Sequence, residues 1–247
     1  LSCQGEIAVC SAPAGPAFEG AEISQGMRGE PGAIAGMHIA GQSGNILLEV
    51  IPDDKRNVYP VKGICGSGLI DSIASLRQND ILQPDGYLTC DVKEADRLGL
   101  PGYLRERITE KGFLVYLDPG GQHVCLTQKD IRQFQLAKAA VQAGIRMLLE
   151  RKGLTLEQVD RLYIAGVFGG HISKKNAVLT GLFPDIAREK IVIAGNAAGD
   201  GAAKALLSEE FLRQTEKVGT EAVHVELAQQ EAFQQEFLVS MEIVPWN

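Results

Sequence analysis

Arg161-Leu-Tyr-Ile-Ala165 runs into Gly166-Val-Phe-Gly-Gly170, and Lys190-Ile-Val-Ile-Ala194 runs into Gly195-Asn-Ala-Ala-Gly-Asp-Gly-Ala202. Each is a nearly unbroken apolar run that ends in a glycine turn and then starts a helix. Continuous rather than alternating apolarity marks a strand covered on both faces. A strand, a glycine turn and a helix, repeated, argue an α/β fold with helices flanking a sheet. A third copy of the design lies near the start. Gly5–Ser11 reads as a strand, followed by the small-residue turn Ala12-Pro-Ala-Gly-Pro-Ala17 and by Phe18-Glu19-Gly20. Ligands of open α/β sheets gather outside the carboxyl ends of strands. Glycine lets the backbone approach a ligand, and a helix N-terminus offers free N–H groups and a positive dipole to an anion. One such loop is more simply a tight turn; three in one chain favour a nucleotide as guest.

Composition narrows the class. The chain has 247 residues with 24 Lys+Arg against 31 Asp+Glu, a net charge of −7, which argues against a general nucleic-acid binder. At 45% hydrophobic and 22% charged it is too apolar for disorder. No apolar run approaches the ~18 residues that cross a bilayer. Glycine stands out: 28 residues, about 11% against a usual ~7%. The cysteines are Cys3, Cys10, Cys65, Cys90 and Cys125, an odd number with no CxxC pair. That pattern argues against a zinc or iron–sulfur site held by this chain alone and suits free thiols in a reducing cytoplasm. Residues 1–10 lack a secretory signal, and the chain opens on Leu1 without an initiator Met, so a cytoplasmic piece of a longer protein is expected.

The remaining elements follow from local signals. Ala33–Ala40 and Asn45–Ile51 read as a hairpin about Gly41-Gln42-Ser43-Gly44, with His38 a satisfied strand histidine. Gly63-Ile-Cys-Gly-Ser-Gly68 opens a helix carrying Leu69, Ile70, Ile73 and Leu76, which Asn79 ends in the left-handed region. Residues 80–112 are irregular. Phe113–Leu117 and His123–Leu126 form a second hairpin. Thr127-Gln-Lys-Asp130 is a capping box that starts the clearest helix, with Ile131, Phe134, Val141, Ile145 and Leu148 at helical spacing and Lys152-Gly153 as its stop. Its small face, Ala137, Ala140 and Gly144, permits close packing. The short piece Thr155–Asp160 is helical or 3₁₀, and Ser173–Thr180 is a helix. The tail reads as helix Glu210–Val218, strand Ala222–Leu227, helix Gln230–Phe237 and a last strand to Pro245.

Common catalytic signatures are missing. There is no GxGxxG after a strand, no GxxxxGK[ST] and no GxSxG. Cys10 reads as a buried thiol rather than a nucleophile. Glu19 is either a first-turn carboxylate or a group that holds a metal-bound water or orients a phosphate. Asp200 reads as an N-cap or first-turn acid. Lys138, Lys174 and Lys175 read as solvated helix lysines rather than phosphate ligands.

Five stretches in order carry a family resemblance: Cys10–Ala21; Gly63–Asp71; Thr127–Arg132 with Gln135, Ala137 and Lys138; Ile164–Gly170; and Gly195–Ala202. Together they resemble the C-terminal part of the ATP-dependent reductive activators of corrinoid proteins. The resemblance implies the superfamily of acetate and sugar kinases, heat-shock chaperones and actin, whose two ribonuclease H-like lobes hold Mg-ATP in a cleft. Residues 1–247 would then form one lobe, a mixed sheet with flanking helices and a variable insertion around 79–125. Ile164–Gly170 would contact adenosine, Gly195–Ala202 would form the connecting helix region, and Ala14–Gly20 would follow the second phosphate hairpin. The implied nucleotide contacts are Gly166, Gly169, Gly170, Asn196, Gly199 and Gly201, with Gly15 and Glu19 near the phosphates.

Full-length members carry an N-terminal plant-type [2Fe–2S] domain and use ATP to drive an uphill electron into a Co(II) corrinoid protein, giving Co(I) for methyl transfer. Nucleotide binding and hydrolysis would change the angle between lobes and so the grip on the corrinoid partner. This chain departs from the pattern: neither Asp-x-Gly-Thr phosphate hairpin and no four-cysteine motif is present. It is therefore expected to be one lobe without its partner, inactive alone, with an exposed interlobe face that favours a homodimer. Two other readings are a small-molecule kinase of the same fold and a non-enzymatic actin- or chaperone-like interaction module. The activator of 2-hydroxyacyl-CoA dehydratases is a nearer cousin, but its bridging iron–sulfur cysteines have no assigned counterpart in this chain.

Overall fold

A tight hairpin opens the chain in the computed structural model, which describes residues 1–40, 45–53, 60–166 and 168–246. The expected turn Gly41-Gln42-Ser43-Gly44 and Val167 of the second glycine loop lie outside those residues. Strands β1 (Ser2–Cys3) and β2 (Glu6–Val9) pair antiparallel across Gln4-Gly5. Both turn residues have positive φ, 51° and 82°, as a mirror-image two-residue turn requires. The single strand read over Gly5–Ser11 is thus the second half of a hairpin. Strands β3 (Ala33–Ile39) and β4 (Ile46–Val50) form the expected antiparallel pair, and β5 (Gly63–Ile64) adds parallel to β3. His38 lies on β3, a strand histidine as expected, with its side chain exposed.

Helix α1 (Gly66–Gln78) buries Leu69, Ile70, Ile73 and Leu76 against β3. Gly68 lets the two approach, since a Cβ there would overlap the Ile34 carbonyl. The left-handed residue after α1 is Asp80 (φ 57°), one position beyond the expected Asn79, whose φ is −111°.

Residues 80–127 are more ordered than their sequence suggests. Helices α2 (Val92–Arg97) and α3 (Gly102–Arg105) lead into the antiparallel meander β6 (Ile108–Thr109), β7 (Gly112–Leu117) and β8 (His123–Thr127). Ile81, Leu82, Leu88, Leu104, Phe113 and Leu126 join the same buried cluster as α1. The next helix, α4 (Gln128–Arg151), starts at a complete capping box: the Asp130 N–H donates to Thr127 Oγ1 (3.3 Å) and the Thr127 N–H to Asp130 Oδ2 (2.8 Å). Phe134 meets Phe18 edge to face at 5.9 Å. The small face of α4 packs closely, as expected. A Cβ on Gly144 would touch Ala12 at 3.4 Å and Cys10 Sγ at 3.6 Å. Lys138 departs from expectation: its side chain is 1% exposed and its amine donates to the Glu242 carbonyl.

Strand β9 (Leu162–Ala165), helix α5 (Lys174–Leu179) and strand β10 (Ile191–Gly195) follow, with β10 parallel to β9. The expected cover on both faces is not found; Tyr163 is 59% exposed. Helices α6 (Ala197–Leu207) and α7 (Glu209–Glu221) contain no buried residue. Strand β11 (Val223–His224) pairs parallel with β2, and α8 (Glu231–Val239) packs on α4 through a small second cluster. Residues 240–246 form a strap rather than the expected last strand. The strap's carbonyls accept from side chains beneath them: Met241 from the buried Gln135 Nε2 (2.8 Å) and Ile243 from the half-buried Arg77 Nε (3.0 Å). The fold is mixed α/β in four small sheets among the described residues, two of them mixing parallel and antiparallel pairs.

Candidate functional site

Two of the three glycine loops meet. The Gly166 N–H donates to the Gly195 carbonyl at 2.7 Å, joining the carboxyl ends of β9 and β10. Both glycines sit at positive φ, 101° and 60°, a region closed to most side chains. A Cβ on Gly166, Gly170, Gly195 or Gly201 would meet nothing within 4 Å. The backbone of these loops is therefore bare on one side. Gly169 lies in the 3₁₀ turn Phe168–His171. Asn196 serves the fold directly, because its side chain caps α6 by accepting from the Gly199 N–H at 3.3 Å. Gly199 is needed there, since a Cβ would press on the Asn196 amide. Asp200 is a first-turn acid of α6, as the sequence indicated.

Next to the Phe168–His171 turn opens a cavity of about 630 Å³. His171, Phe18, Glu19, Arg28, Glu49 and the start of α1 (Cys65, Gly66, Ser67) line it together with an apolar stretch that includes Met27, Ala35, Val50 and Ile51. Of the residues expected at the nucleotide, Glu19 lines this cavity, and the Phe168–His171 turn reaches it through His171 and not through its glycines. Gly15 does not line it; it sits in an exposed turn with φ 66°. Cys65 is the N-cap of α1 and makes no side-chain cap, so the helix dipole and first-turn amides face the cavity uncapped. Its thiol lies 3.4 Å from Ser67 Oγ and 3.4 Å from the Ile34 carbonyl.

One turn deeper, Asp71 and Glu49 flank Gly36, whose Cβ would stand 3.2 Å from Asp71 Oδ2 and 3.3 Å from Glu49 Oε2. Burial pushes the Asp71 carboxyl up, Asn176 pulls it back down by donating to Oδ1 at 2.6 Å, and the Glu49 charge pushes it up again. That hydrogen bond ties α1 to α5 and so to the glycine turn. Sequence reasoning missed the floor of this cavity. The missed signal is that β5 followed by Cys65-Gly66-Ser67-Gly68 repeats the strand–turn–helix design of the other loops.

The remaining candidates separate from the site. Cys10 packs under α4, and burial raises its thiol pKa, as it does for Cys90 and Cys125. All five cysteines are free thiols, and no group of three metal-ligating side chains occurs among the described residues. Lys138 is buried away from the loops. The Lys174 amine is spent on the Ile191 carbonyl at 2.5 Å. No described helix is long and apolar enough to cross a membrane.

Over residues 1–246 the chain matches the family described as the C-terminal domain of RACo, the ASKHA domain. It is 33% identical over 256 residues to the corrinoid activation enzyme RamQ of Eubacterium limosum, covering 97% of this chain and 41% of that protein. It is 28% identical over 248 residues to the [Co(II) methylated amine-specific corrinoid protein] reductase of Methanosarcina barkeri, covering 98% of this chain and 43% of the relative. A solved structure, a reductive activator for corrinoid, iron-sulfur protein, superposes with a TM-score of 0.80 at 33% identity, over 96% of this chain and 36% of that one. The chain thus spans about two fifths of the length of the curated relatives it matches.

Proposed function

The chain belongs to the family of RACo C-terminal ASKHA domains, and from that premise we propose that it is the adenosine-side lobe of an ATP-dependent reductive activator. In this reading the whole protein returns a Co(II) corrinoid protein to Co(I), and residues 1–247 bind nucleotide and dock the partner. The observation that carries it is the bond between Gly166 and Gly195, which holds two bare glycine loops side by side. The relatives named for corrinoid activation and corrinoid-protein reduction supply the reaction class.

The residues present fit a nucleotide in two ways. The glycine loops leave room for a base and ribose against backbone, where any side chain would intrude. The uncapped start of α1 offers a positive dipole at the cavity floor. Glu19 and Glu49 oppose Arg28 within that cavity, so a bare polyphosphate is disfavoured and a magnesium-bound one is favoured. Gly166, Gly169, Gly170 and Gly201 are proposed as backbone contacts, Asn196 and Gly199 as the capped turn that aims them, and Gly15 and Glu19 as the phosphate side. Bound ATP supplies the free energy of phosphoryl transfer. This chain's own residues position it, and the Asp71–Asn176 link passes a shift of the glycine turn to α1. The electron travels through a [2Fe–2S] centre that the reading assigns to the rest of the longer protein. A homodimer would use the end of α6, where Leu206 and Leu207 stand 88% and 89% exposed.

Calorimetric titration of Mg-ATP into the longer polypeptide tests the reading. Gly170→Val enters open space at an ordinary φ, so the melting temperature should hold while affinity falls by about tenfold or more. Equal affinity of variant and parent would place the nucleotide elsewhere.

A further inference from the structure

Residues 240–246 run along α4 in step with it. Down the helix, Gln135 donates to the Met241 carbonyl, Lys138 donates to the Glu242 carbonyl, and Arg146 stacks 4.8 Å over the Trp246 ring. Ile243 and Trp246 anchor the strap at 0% and 4% exposed, and of the two only Ile243 belongs to the main buried cluster. The strap also reaches past α4. Arg77 at the end of α1 donates to the Ile243 carbonyl, the Ile243 N–H donates to the Pro84 carbonyl at 2.7 Å, and the Asp185 N–H donates to the Trp246 carbonyl at 3.1 Å. At Gly181, just past α5, a Cβ would overlap the Val244 carbonyl, so the strap crosses there against bare backbone. It thereby ties together the C-terminal ends of α1 and α5, which Asn176 and Asp71 join nearer their N-terminal ends.

The same seam holds polar groups that burial penalises. Lys138 is 1% exposed, and burial lowers its amine to about 8. Glu242 of the strap favours its proton; Arg146 of α4 opposes it and is itself paired with Glu236 of α8 at 3.0 Å. Arg77 of α1 donates to the strap's backbone, and Asp85 and Asp185 of the flanking loops meet the seam through their own backbone groups. Gln142 stands one turn along α4 from Lys138 and one from Arg146. Its Oε1 is buried without a hydrogen-bond partner among the described residues, and so is the Trp246 indole N–H. Such burial costs free energy that contact with water returns. Three costs therefore fall on one seam, and lifting the strap relieves them together. We propose that residues 240–246 are a releasable latch, which lifts from α4 as a unit while the rest of the fold stays closed and frees the C-terminal end of α5 from α1. The latch stands on these contacts alone. That its release loosens the Phe168–His171 turn, through Asn176 and Asp71, rests on the nucleotide reading, so the test is run without nucleotide.

Hydrogen exchange of the longer polypeptide provides it. The Ile243 and Asp185 amides are both bonded across the latch. They should share one protection factor, at least about a hundredfold below that of the buried α4 amides around Phe134. An open latch returns Lys138 to water, where it holds its proton up to about 10.5 rather than about 8, so rising pH favours the closed latch. Between about pH 7 and 9 the protection of both amides should therefore rise about tenfold, and Lys138→Met should abolish the rise. The pH series on the parent stands by itself if that variant folds poorly. Protection equal to that of the α4 amides would overturn the proposal, because the strap would then leave only on global unfolding. So would two amides that open independently, or protection that stays constant from pH 7 to 9.

Discussion

Lys138 makes stability depend on alkaline pH in a calculable way. Burial lowers its amine from the usual 10.5 to about 8; the Glu242 charge opposes this and Arg146 adds to it. The unfolded chain keeps the proton up to about 10.5, while the folded chain sheds it near 8, so between those values the unfolded state binds more protons. Stability therefore rises with pH across that window. At about 1.36 kcal/mol per pH unit the gap amounts to roughly 3 kcal/mol, all of it a penalty below pH 8. At about 2.1 cal/mol/K per residue, unfolding this chain carries about 0.5 kcal/mol/K, so the window is worth roughly 6 °C in melting temperature. The assay is thermal melting of the parent and Lys138→Met at intervals from about pH 7 to 10.5. Methionine keeps the volume and cannot titrate. Losing the bond to the Glu242 carbonyl displaces the variant's curve without bending it. The parent should gain about 6 °C on the variant between pH 8 and 10.5. Parallel curves would refute the reasoning and show that Lys138 keeps its proton throughout.

Three further outcomes follow from particular contacts. Phe134→Ala removes a fully buried ring packed on Phe18 and should cost about 3–5 kcal/mol in denaturant melts. Asn176→Asp puts a second carboxylate against Asp71. Stability should drop by about 1–3 kcal/mol at neutral pH and recover on acidification, since repulsion raises the folded pKa and its cost appears only as pH rises. Cys10, Cys90 and Cys125 are all raised above the thiol value of 9.0 by burial. The unfolded thiols ionise first, so these groups lower stability as pH climbs past 9, and replacing all three with alanine should flatten that fall in the melting profile.

The local signals in the sequence were strong where one segment satisfies itself. The Thr127–Asp130 capping box, the apolar spacing of α1 and the glycine turns after β9 and β10 each need only near neighbours. The opening hairpin was harder to see because Gln4-Gly5 lacks the usual asparagine or aspartate before the glycine. The final segment, with Ile243 and Val244, has strand-like composition, yet its carbonyls bond to Arg77, Gln135 and Lys138, all far away in sequence. Lys138 itself looked like a surface residue because helix periodicity ignores what the tail lays over α4. The cavity gathers Glu19, Glu49, Cys65 and His171 from separate elements, so only the strand–turn–helix repeat at Cys65–Gly68 hinted at it. The apolar runs of β9 and β10 predict cover on both faces; among the described residues Tyr163 stays exposed on one of them.

If this lobe couples nucleotide to corrinoid reduction, the cobalt itself should report it. The decisive experiment follows the visible spectrum of a Co(II) corrinoid protein mixed with the longer polypeptide and a one-electron reductant, with and without Mg-ATP, for the parent and for Gly170→Val. The Co(I) band should grow only when ATP is present and be largely lost in the variant. Growth at the same rate without ATP, or undiminished in Gly170→Val, would contradict the coupling.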